Sequence, residues 1–376
     1  MRVPAGADET GGQAWVVGEY TRVLHTPPAL YSWRPDAQPG FPPKHISDRL
    51  LRTSRATDMP DKKISVGVVM DPIENIAPKK DSSLAMLLEA TRRGAEIHYM
   101  LQGDLKLLGG EALARSRILQ VQDDLEKWFE IGAVQDISLG DLDVILMRKD
   151  PPFDMEYVYT TYILERAEEA GALVVNRPQA LRDINEKAYT AWFADCSPLT
   201  LVTRSMQEMK AFLAEHDRIV VKPLDGMGGR SVFVVSQGDN NANVIFEMLT
   251  DNGRLFAMAQ VHIPEISEGD KRILLIDGEP IPYALARIPP ADDNRGNLVV
   301  GAVGTGRKLS ERDLWICSRV GPVLREHGVM FAGIDVIGDY LTEINVTSPT
   351  GIRELDKIFD LNIAGDLFDA IEKKLD

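Results

Sequence analysis

Apolar residues in the first half of the chain, from about position 63 onward, follow a pattern that alternates between two periods. The run at 63–70 is short and rich in β-branched residues, as expected for a buried parallel strand, and further strand patterns lie at 95–100, 142–147 and 173–175. Segments 83–93 and 155–170 instead repeat apolar residues at helical spacing, and each is followed by a glycine that can end a helix, Gly94 and Gly171. Alternating strands and helices predict a doubly wound open sheet, which we place in an N-terminal α/β domain at 61–185.

The second half of the chain combines strand and helix patterns in a different order. Strand patterns lie at 218–222, 231–235, 271–276, 282–287, 333–337 and 340–345, and helical patterns at 206–215, 310–327 and 362–375. A glycine-rich segment joins the first two of these strands, so the order is strand, glycine loop, strand rather than strand, loop, helix. This order predicts an α+β nucleotide-binding domain built on antiparallel strands at 186–376, with a smaller lobe at about 190–262.

Residues 1–60 differ in composition from the rest of the chain. Prolines recur between Pro27 and Pro43, charges are scattered, and no apolar period is sustained. We expect a disordered extension or, because Met59 lies just before the first strand pattern, a mis-assigned start.

The net charge of the chain restricts the partners that it can have. With 57 acidic and 42 basic residues, the formal charge is −15 and the pI is near 5.0, which argues against nucleic acid or an anionic membrane as a partner. No apolar run is long enough to span a bilayer, and the N-terminus lacks the pattern of a secretory signal. Cys196 and Cys317 have no metal-ligand spacing and predict two free thiols in a reducing cytoplasm.

The glycine-rich segment 222–230 is the first candidate for chemistry. Lys222 ends a strand pattern, and Gly226, Gly228 and Gly229 follow at once. Glycines let backbone N–H groups approach phosphate oxygens, and the lysine adds a positive charge, so the segment could hold a triphosphate. It is neither a Walker A loop nor a dinucleotide fingerprint. A plain hairpin turn with Asp-Gly explains the same residues equally well.

A second candidate site lies on the last two predicted strands. Glu343 and Asn345 are two residues apart and therefore point to the same face of a strand. Asp335 would join them from the adjacent strand if Gly338-Asp339 forms the hairpin turn. Two carboxylates and an amide oxygen suit Mg²⁺. The alternative is a polar strand face exposed to water.

Several basic residues and one long loop complete the candidate chemistry. Arg272, Arg287 and Arg295, together with Lys187, could bind phosphate or carboxylate, although each arginine alone could form a surface salt bridge. The segment 288–306 is rich in glycine and could be a lid that excludes water, or simply a long surface loop.

A set of short motifs gives these candidates a common interpretation. The motifs are Met-Asp-Pro at 70–72, Lys-Lys-Asp-Ser-Ser at 79–83, Arg-Lys-Asp-Pro-Pro-Phe-Asp at 148–154, Asn-Arg-Pro at 176–178, Asn-Glu-Lys at 185–187, the glycine loop at 222–229, Gly-Asp-Lys-Arg at 269–272, Arg-Gly-Asn at 295–297 and Glu-Ile-Asn-Val-Thr-Ser-Pro at 343–349. In this order and spacing they resemble the ATP-grasp ligases and, among them, the bacterial glutathione synthetase family, over about residues 63–370. The resemblance implies a two-lobed ATP-grasp fold for the C-terminal domain.

The resemblance implies a role for each residue singled out. The residues implied to bind ATP are Lys187, Lys222, Gly226, Met227, Gly228, Gly229, Gln260, Val261, His262, Ile263 and Asp270. Those implied to bind substrate are Arg148, Asp150, Asn345 and Arg353, and those implied to act in catalysis are Arg272, Arg287 and Arg295. Two Mg²⁺ ions, for which Mn²⁺ could substitute, are implied to bind Asp335, Glu343 and Asn345.

Two segments depart from the family pattern. The predicted lid reads Gly-Ala-Val-Gly at 301–304, where family members can carry a further glycine and an arginine. The predicted adenine hinge has His262 where an aromatic residue is common. Neither departure falls on a predicted metal or phosphate position.

The reaction that the resemblance implies joins γ-glutamylcysteine to glycine. The cysteinyl carboxylate would attack the γ-phosphate of ATP to give an acyl phosphate, and the glycine amine would then displace phosphate through a tetrahedral intermediate. No nucleophile on the enzyme is required, in agreement with the lack of a catalytic motif around His98, His216 or His262. The resemblance also implies a cytoplasmic homotetramer that acts on small molecules.

Two other functions fit parts of the pattern. A different ATP-grasp carboxylate–amine ligase would share the lysines and the Glu-x-Asn pair, but the segment 147–154 favours glutathione synthesis. An ATP-binding regulatory protein on the same fold, as in synapsins, would be expected to lack a metal ligand or a phosphate-binding arginine, and all of these are present in the sequence.

Overall fold

The computed structural model describes residues 63–289 and 303–376 of the chain. The predicted extension at 1–60, Arg295 and most of the predicted lid at 288–306 lie outside the described residues. Within the described ranges, no helix is long and apolar enough to cross a membrane.

The described residues form sixteen β-strands and eight α-helices. The strands are β1 (Ser65–Val69), β2 (Glu96–Met100), β3 (Leu105–Leu108), β4 (Glu111–Val121), β5 (Phe129–Ser138), β6 (Val144–Met147), β7 (Leu173–Val175), β8 (Thr200–Thr203), β9 (Arg218–Pro223), β10 (Phe233–Ser236), β11 (Ala257–Val261), β12 (Asp270–Ile276), β13 (Glu279–Ile288), β14 (Val303–Lys308), β15 (Phe331–Ile337) and β16 (Tyr340–Asn345). The helices are α1 (Ser82–Arg92), α2 (Met155–Ala170), α3 (Pro178–Asp183), α4 (Met206–His216), α5 (Ala242–Thr250), α6 (Glu311–Glu326), α7 (Ile352–Phe359) and α8 (Ile363–Leu375).

The N-terminal sheet has the predicted parallel core and an antiparallel extension. Strands β2, β1, β6 and β7 lie side by side and are parallel, with α1 and α2 as connecting helices. Each helix begins at an aspartate whose carboxylate accepts a backbone N–H, Asp81 from Leu84 at 2.7 Å and Asp154 from Tyr157 at 2.9 Å. The sequence patterns left 101–141 unassigned, and there β3, β4 and β5 extend the sheet with antiparallel pairs.

The C-terminal part contains two antiparallel sheets. A four-stranded sheet has the order β10-β9-β11-β8, and a five-stranded sheet has the order β14-β13-β12-β15-β16. The predicted succession of strand, glycine loop and strand is confirmed, because β9 and β10 pair in antiparallel register around the loop. The fold is therefore an N-terminal open sheet followed by an α+β part with two antiparallel sheets.

The hairpin of β15 and β16 also forms as predicted. Its turn is Gly338-Asp339, and Gly338 has a φ of 54°, which glycine adopts without strain. In the register of the hairpin, Asp335 lies directly opposite Glu343, and Gly333 opposite Asn345. The hairpin therefore brings the three predicted metal ligands onto neighbouring positions.

The side chain of Asn176 joins the N-terminal sheet to this hairpin. Its Nδ2 donates to the carbonyl oxygens of Phe331 at 2.7 Å and Val346 at 2.6 Å, and its Oδ1 accepts from the backbone N–H groups of Met330 at 2.8 Å and Phe331 at 2.9 Å. The residue is buried just after β7. Both amide donors and the amide acceptor are thus used, and they fix the entry to β15 and the exit from β16.

We expect Asn176→Asp to lower the free energy of unfolding by roughly 3 kcal/mol, because an oxygen would then face two buried carbonyls without a hydrogen to share. The measurement is urea unfolding followed by circular dichroism. Asn240→Asp, at an exposed asparagine, serves as the matched control and should change stability little. Equal losses in the two variants would contradict the structural role of Asn176.

Candidate active site

Two adjoining clefts lie along the antiparallel sheets of the C-terminal part. The nucleotide cleft, as we name the first, has an open volume of about 740 Å³ and is lined by residues of β9, β11 and the 260–266 segment. The second, which we name the substrate cleft, has an open volume of about 1560 Å³ and also includes residues from the N-terminal domain. Val232 and Glu343 line both clefts, so the two spaces meet at Glu343.

The nucleotide cleft combines an apolar wall with a few polar groups. Its lining includes Val220, Val232, Val234, Ile337 and the predicted hinge residues Gln260, Val261, His262 and Ile263. The Gln260 side chain donates to Thr200 at 3.0 Å, which holds it against the neighbouring strand. The Nε2 atom of His262 is buried and has no hydrogen-bond partner. An apolar slot with a few fixed polar groups is suited to a flat heterocycle.

Two buried lysines stand where the clefts meet. The Nζ atoms of Lys222 and Lys187 lie 3.6 and 3.8 Å from Oε1 of Glu343. Burial lowers the pKa of Lys222. Burial acts in the same direction on Lys187, but the charges of Glu343 and Glu186 outweigh it and raise its pKa. Both ammonium groups therefore share acidic neighbours near a space that could hold an anion.

The glycine loop 226–229 lines the substrate cleft beside these lysines. Gly228 and Gly229 have φ values of 66° and 75°, which favour glycine. At Gly226 a Cβ atom would lie 2.7 Å from Cγ of Pro223, so this position also excludes a side chain. The Nζ of Lys187 donates to the carbonyl oxygen of Gly226 at 2.6 Å and thus ties the loop to the lysine.

A buried cluster of two arginines and two aspartates lies on the five-stranded sheet. Arg272 binds both carboxylate oxygens of Asp335, with 2.8 Å between Nη2 and Oδ2. Arg287 lies 2.9 Å from the same Oδ2 and also pairs with Asp270. Burial alone would raise the pKa of Asp335, yet Arg272 and Arg287 hold it well below its usual range. Asp335 is therefore ionised at neutral pH.

Asp270 has the opposite electrostatic balance in the same cluster. Burial raises its pKa and, although Arg287 opposes this, the charges of Asp335 and Glu343 raise it further. Its Oδ1 atom and the Nε atom of Arg287 are both buried without a hydrogen-bond partner. Unpaired polar atoms of this kind are rare in folded proteins and indicate a place where a ligand or water completes the hydrogen bonding.

The residues predicted to hold metal lie together, but the site is not a ready-made cage. The Nδ2 of Asn345 donates to Asp335 at 3.3 Å and to the carbonyl oxygen of Gly333 at 3.2 Å. Among residues 63–289 and 303–376, no group of three His, Cys, Asp or Glu side chains is arranged to hold a metal ion. Two carboxylates and one amide oxygen nevertheless fit Mg²⁺, which takes its remaining ligands from water and substrate phosphates.

Two predicted substrate residues lie outside the two clefts. Arg148 is buried and donates from Nε to Ser83 and from Nη2 to the carbonyl oxygen of Pro349, each at 3.0 Å. Arg353 pairs with Asp123 at 2.6 Å and lines a separate surface groove. Asp150 does line the substrate cleft. In this structure Arg148 holds the backbone around the cleft, and Arg353 is directed elsewhere.

Other residues of the substrate cleft were not predicted as site residues. Lys80, Asp81, Glu186 and Glu354 all line it. Lys80 and Asp81 belong to the motif at 79–83, so their position in that motif was an available signal. No local pattern in the sequence marks Glu354, which reaches the cleft because α7 begins there.

Comparison with known proteins identifies two family domains in the chain. Residues 64–182 match the N-terminal domain of prokaryotic glutathione synthetase, and residues 186–360 match the ATP-grasp domain of the same family. Glutathione synthetase of Salmonella typhimurium is 59% identical over 312 residues, which cover 83% of this chain and 99% of that protein. The Escherichia coli K12 and Vibrio parahaemolyticus glutathione synthetases are 58% and 57% identical over the same length.

Solved structures of low sequence identity share the fold. D-cycloserine synthetase DcsG superposes with a TM-score of 0.59 at 15% identity, over 83% of this chain and all of that one. The ATP-grasp ligase PsnB, in a complex with a minimal precursor, Mg and ADP, gives a TM-score of 0.55 at 16% identity, over 82% of this chain and 98% of that one. The chain belongs to the prokaryotic glutathione synthetase family and is an ATP-dependent ligase with the ATP-grasp fold.

Proposed function

We propose that this ligase makes glutathione by joining γ-glutamylcysteine to glycine, with an acyl phosphate as the intermediate. The observation that carries the proposal is the junction of the two clefts at Glu343, where Lys187 and Lys222 lie near its carboxylate and Asp335 of the arginine cluster lies opposite it in the hairpin. A nucleotide in one cleft would thereby present its terminal phosphate to a carboxylate in the other.

The two clefts together provide for each part of ATP. The backbone and side chains of Gln260–Ile263 would receive adenine against the apolar wall, and the unpaired oxygen of Asp270 suits a ribose hydroxyl. Lys187 and Lys222 would bind the phosphates, with 226–229 covering them. The family match at 186–360 supports ATP as the nucleotide.

The arginines of the buried cluster are suited to charge that develops during the reaction. The carboxylate of the dipeptide would attack the γ-phosphorus of ATP, ADP would leave, and the glycine amine would then attack the acyl carbon and release phosphate. The unpaired Nε of Arg287 is a donor for the phosphoryl or acyl oxygens. Arg272 acts beside Arg287. Its guanidinium pairs with Asp335 and keeps that carboxylate ionised.

Asp335, Glu343 and Asn345 are the residues that would hold the metal. We propose two Mg²⁺ ions, with Mn²⁺ as a substitute, because the three side chains meet where the phosphates would lie. Bound Mg²⁺ neutralises charge on phosphate oxygens and so favours transfer. Glu343 stays close to both lysines, so metal and ammonium groups would surround the same phosphates.

The remaining assignments extend the proposal beyond the two clefts. We propose Asp150 and Asn345 as direct substrate contacts and Arg148 as a residue that positions the Pro349 carbonyl. Arg295, which lies outside the described residues, is proposed as a catalytic residue. Arg353 could contact substrate only after leaving Asp123. A cytoplasmic homotetramer is the proposed working form, and the free, buried state of Cys196 and Cys317 fits a reducing compartment.

We expect the purified protein to release ADP from ATP and Mg²⁺ in the presence of γ-glutamylcysteine and glycine, with glutathione formed in equal amount. Omitting either glycine or the dipeptide should reduce steady ADP release to background, because the acyl phosphate is not formed without the dipeptide and is not consumed without glycine. Coupled spectrophotometry gives the rate, and mass spectrometry identifies the product. Turnover with other acid–amine pairs, but not with these, would overturn the substrate assignment and leave the ligase mechanism in place.

Replacing Lys222 by methionine should separate nucleotide binding from stability. The change removes a charge whose burial is unfavourable and nearly keeps the length of the side chain, and Glu343 retains Lys187 as its partner, so we expect the melting temperature without ligand to stay the same or rise. The dissociation constant for ATP should increase about tenfold or more, because a charge-assisted hydrogen bond is lost. Isothermal titration calorimetry measures the affinity, with Lys210→Met on the exposed face of α4 as the control. Unchanged ATP affinity would argue against a phosphate contact.

Glu343→Gln should reduce kcat by about 10²-fold and raise the Mg²⁺ concentration needed for half-maximal rate, because a metal-binding carboxylate is replaced by an amide. A magnesium titration of the initial rate makes both measurements. The control is Glu215→Gln, at an exposed position on α4. A loss of kcat with an unchanged magnesium requirement would show that Glu343 acts only through Lys187 and Lys222.

A further inference from the structure

The part of the substrate cleft that the N-terminal domain lines contains a carboxylate with no assigned role. The segment 71–81 forms one wall, the segment 347–350 forms another, and Glu354 stands on the first turn of α7. Its Oε2 atom is buried and has no hydrogen-bond partner. The proposed reaction assigns no role to this residue or to the segment 71–81.

The buried side-chain atoms that lack a partner are concentrated at the clefts. The described part of the chain contains six such atoms, and four belong to cleft-lining residues: His262, Asp270, Arg287 and Glu354. The first three face the proposed positions of the nucleotide and the phosphoryl group. Because a ligand can complete the hydrogen bonds of such atoms, the fourth indicates a ligand group that donates hydrogen bonds.

The charges around Glu354 indicate what kind of group this is. Burial raises the pKa of Glu354; its own backbone N–H and the charges of Lys80 and Arg353 lower it, while Asp81 raises it. Burial also raises the pKa of Asp81. Two partly buried carboxylates thus face one cleft, and an incoming cation would offset the unfavourable burial of both.

The position of Glu354 is fixed by a contact between two helix starts. The backbone N–H of Ile352, at the beginning of α7, donates to Oγ of Ser82, at the beginning of α1, at 3.3 Å. Asp81 caps α1 through Leu84, so both carboxylates are held by the fold and not by flexible loops. Lys80 directly precedes this cap and is exposed on the cleft wall.

We infer that Glu354 binds the α-ammonium group of the γ-glutamyl residue, with Asp81 beside it and Lys80 facing the α-carboxylate. A γ-linked dipeptide carries both groups at the end remote from the cysteinyl carboxylate that is activated. An acid and a base that line the same cleft match that zwitterionic end, whereas an α-linked dipeptide would place its carboxylate elsewhere. The inference rests on the proposed function, because γ-glutamylcysteine must be the substrate.

The test compares two substrates in two variants. For Glu354→Gln, kcat/KM for γ-glutamylcysteine should fall about tenfold or more, because a hydrogen-bonded charge pair is lost. For N-glutarylcysteine, which lacks only the α-amino group, kcat/KM should change less than about twofold, because the interaction is absent in wild type as well. KM values for ATP and glycine should stay unchanged, and Glu215→Gln should behave as wild type with both substrates.

Lys80→Met gives an independent test at an exposed position where folding is not at risk. In this variant, kcat/KM for γ-glutamylcysteine should fall about tenfold, and kcat/KM for 4-aminobutyryl-cysteine, which lacks the α-carboxylate, should stay unchanged. Equal losses on substrate and analogue in both variants, or no loss in either, would overturn the inference. Failure of the wild-type protein to form glutathione would instead overturn the proposed function, so the two failures are distinguishable.

Discussion

The paired ionisation of Asp335 with Arg272 and Arg287 is the interaction on which the rest of the site depends. All three groups are buried on the five-stranded sheet, and each needs the others, because removing one partner of a buried ion pair costs about 3–5 kcal/mol. These ion pairs link the side chains of three neighbouring strands, β12, β13 and β15. It therefore preserves fixed charges at the place where phosphate chemistry requires them, before any ligand arrives.

A second set of contacts sets the N-terminal domain against this cluster. Arg148 donates to the carbonyl oxygen of Pro349, and the backbone of Ile352 donates to Ser82, so the segment that follows β16 is bound to the N-terminal domain at two points. The same segment carries Thr347 and Ser348 along the substrate cleft. These contacts therefore align a substrate held by the N-terminal domain with the charged groups on the five-stranded sheet.

The sequence predicted those parts of the molecule that follow from local periods. The parallel strands, the strands flanking the glycine loop, and the hairpin at Gly338-Asp339 all arise from spacing and turn chemistry, and the hairpin brings Asp335 opposite Glu343. The antiparallel extension β3–β5 was missed, because β5 is largely exposed and the alternating burial of β4 was not recognised in the sequence. The interior position of Arg148 and the missing partner of Glu354 are tertiary facts, which no local pattern records.

The contacts of Asn176 have a consequence for how this family can change over time. Its four hydrogen bonds all go to backbone groups, two carbonyl oxygens and two N–H groups. A side-chain partner can mutate and so compensate for a change across a contact, but the peptide group is the same for every residue except proline, which lacks the N–H. An isosteric side chain that offers two donors and an acceptor in one plane does not exist elsewhere among the standard residues. Substitutions around the hairpin must therefore retain this asparagine. The contacts at the domain junction thus limit the variation that the rest of the active site can accept.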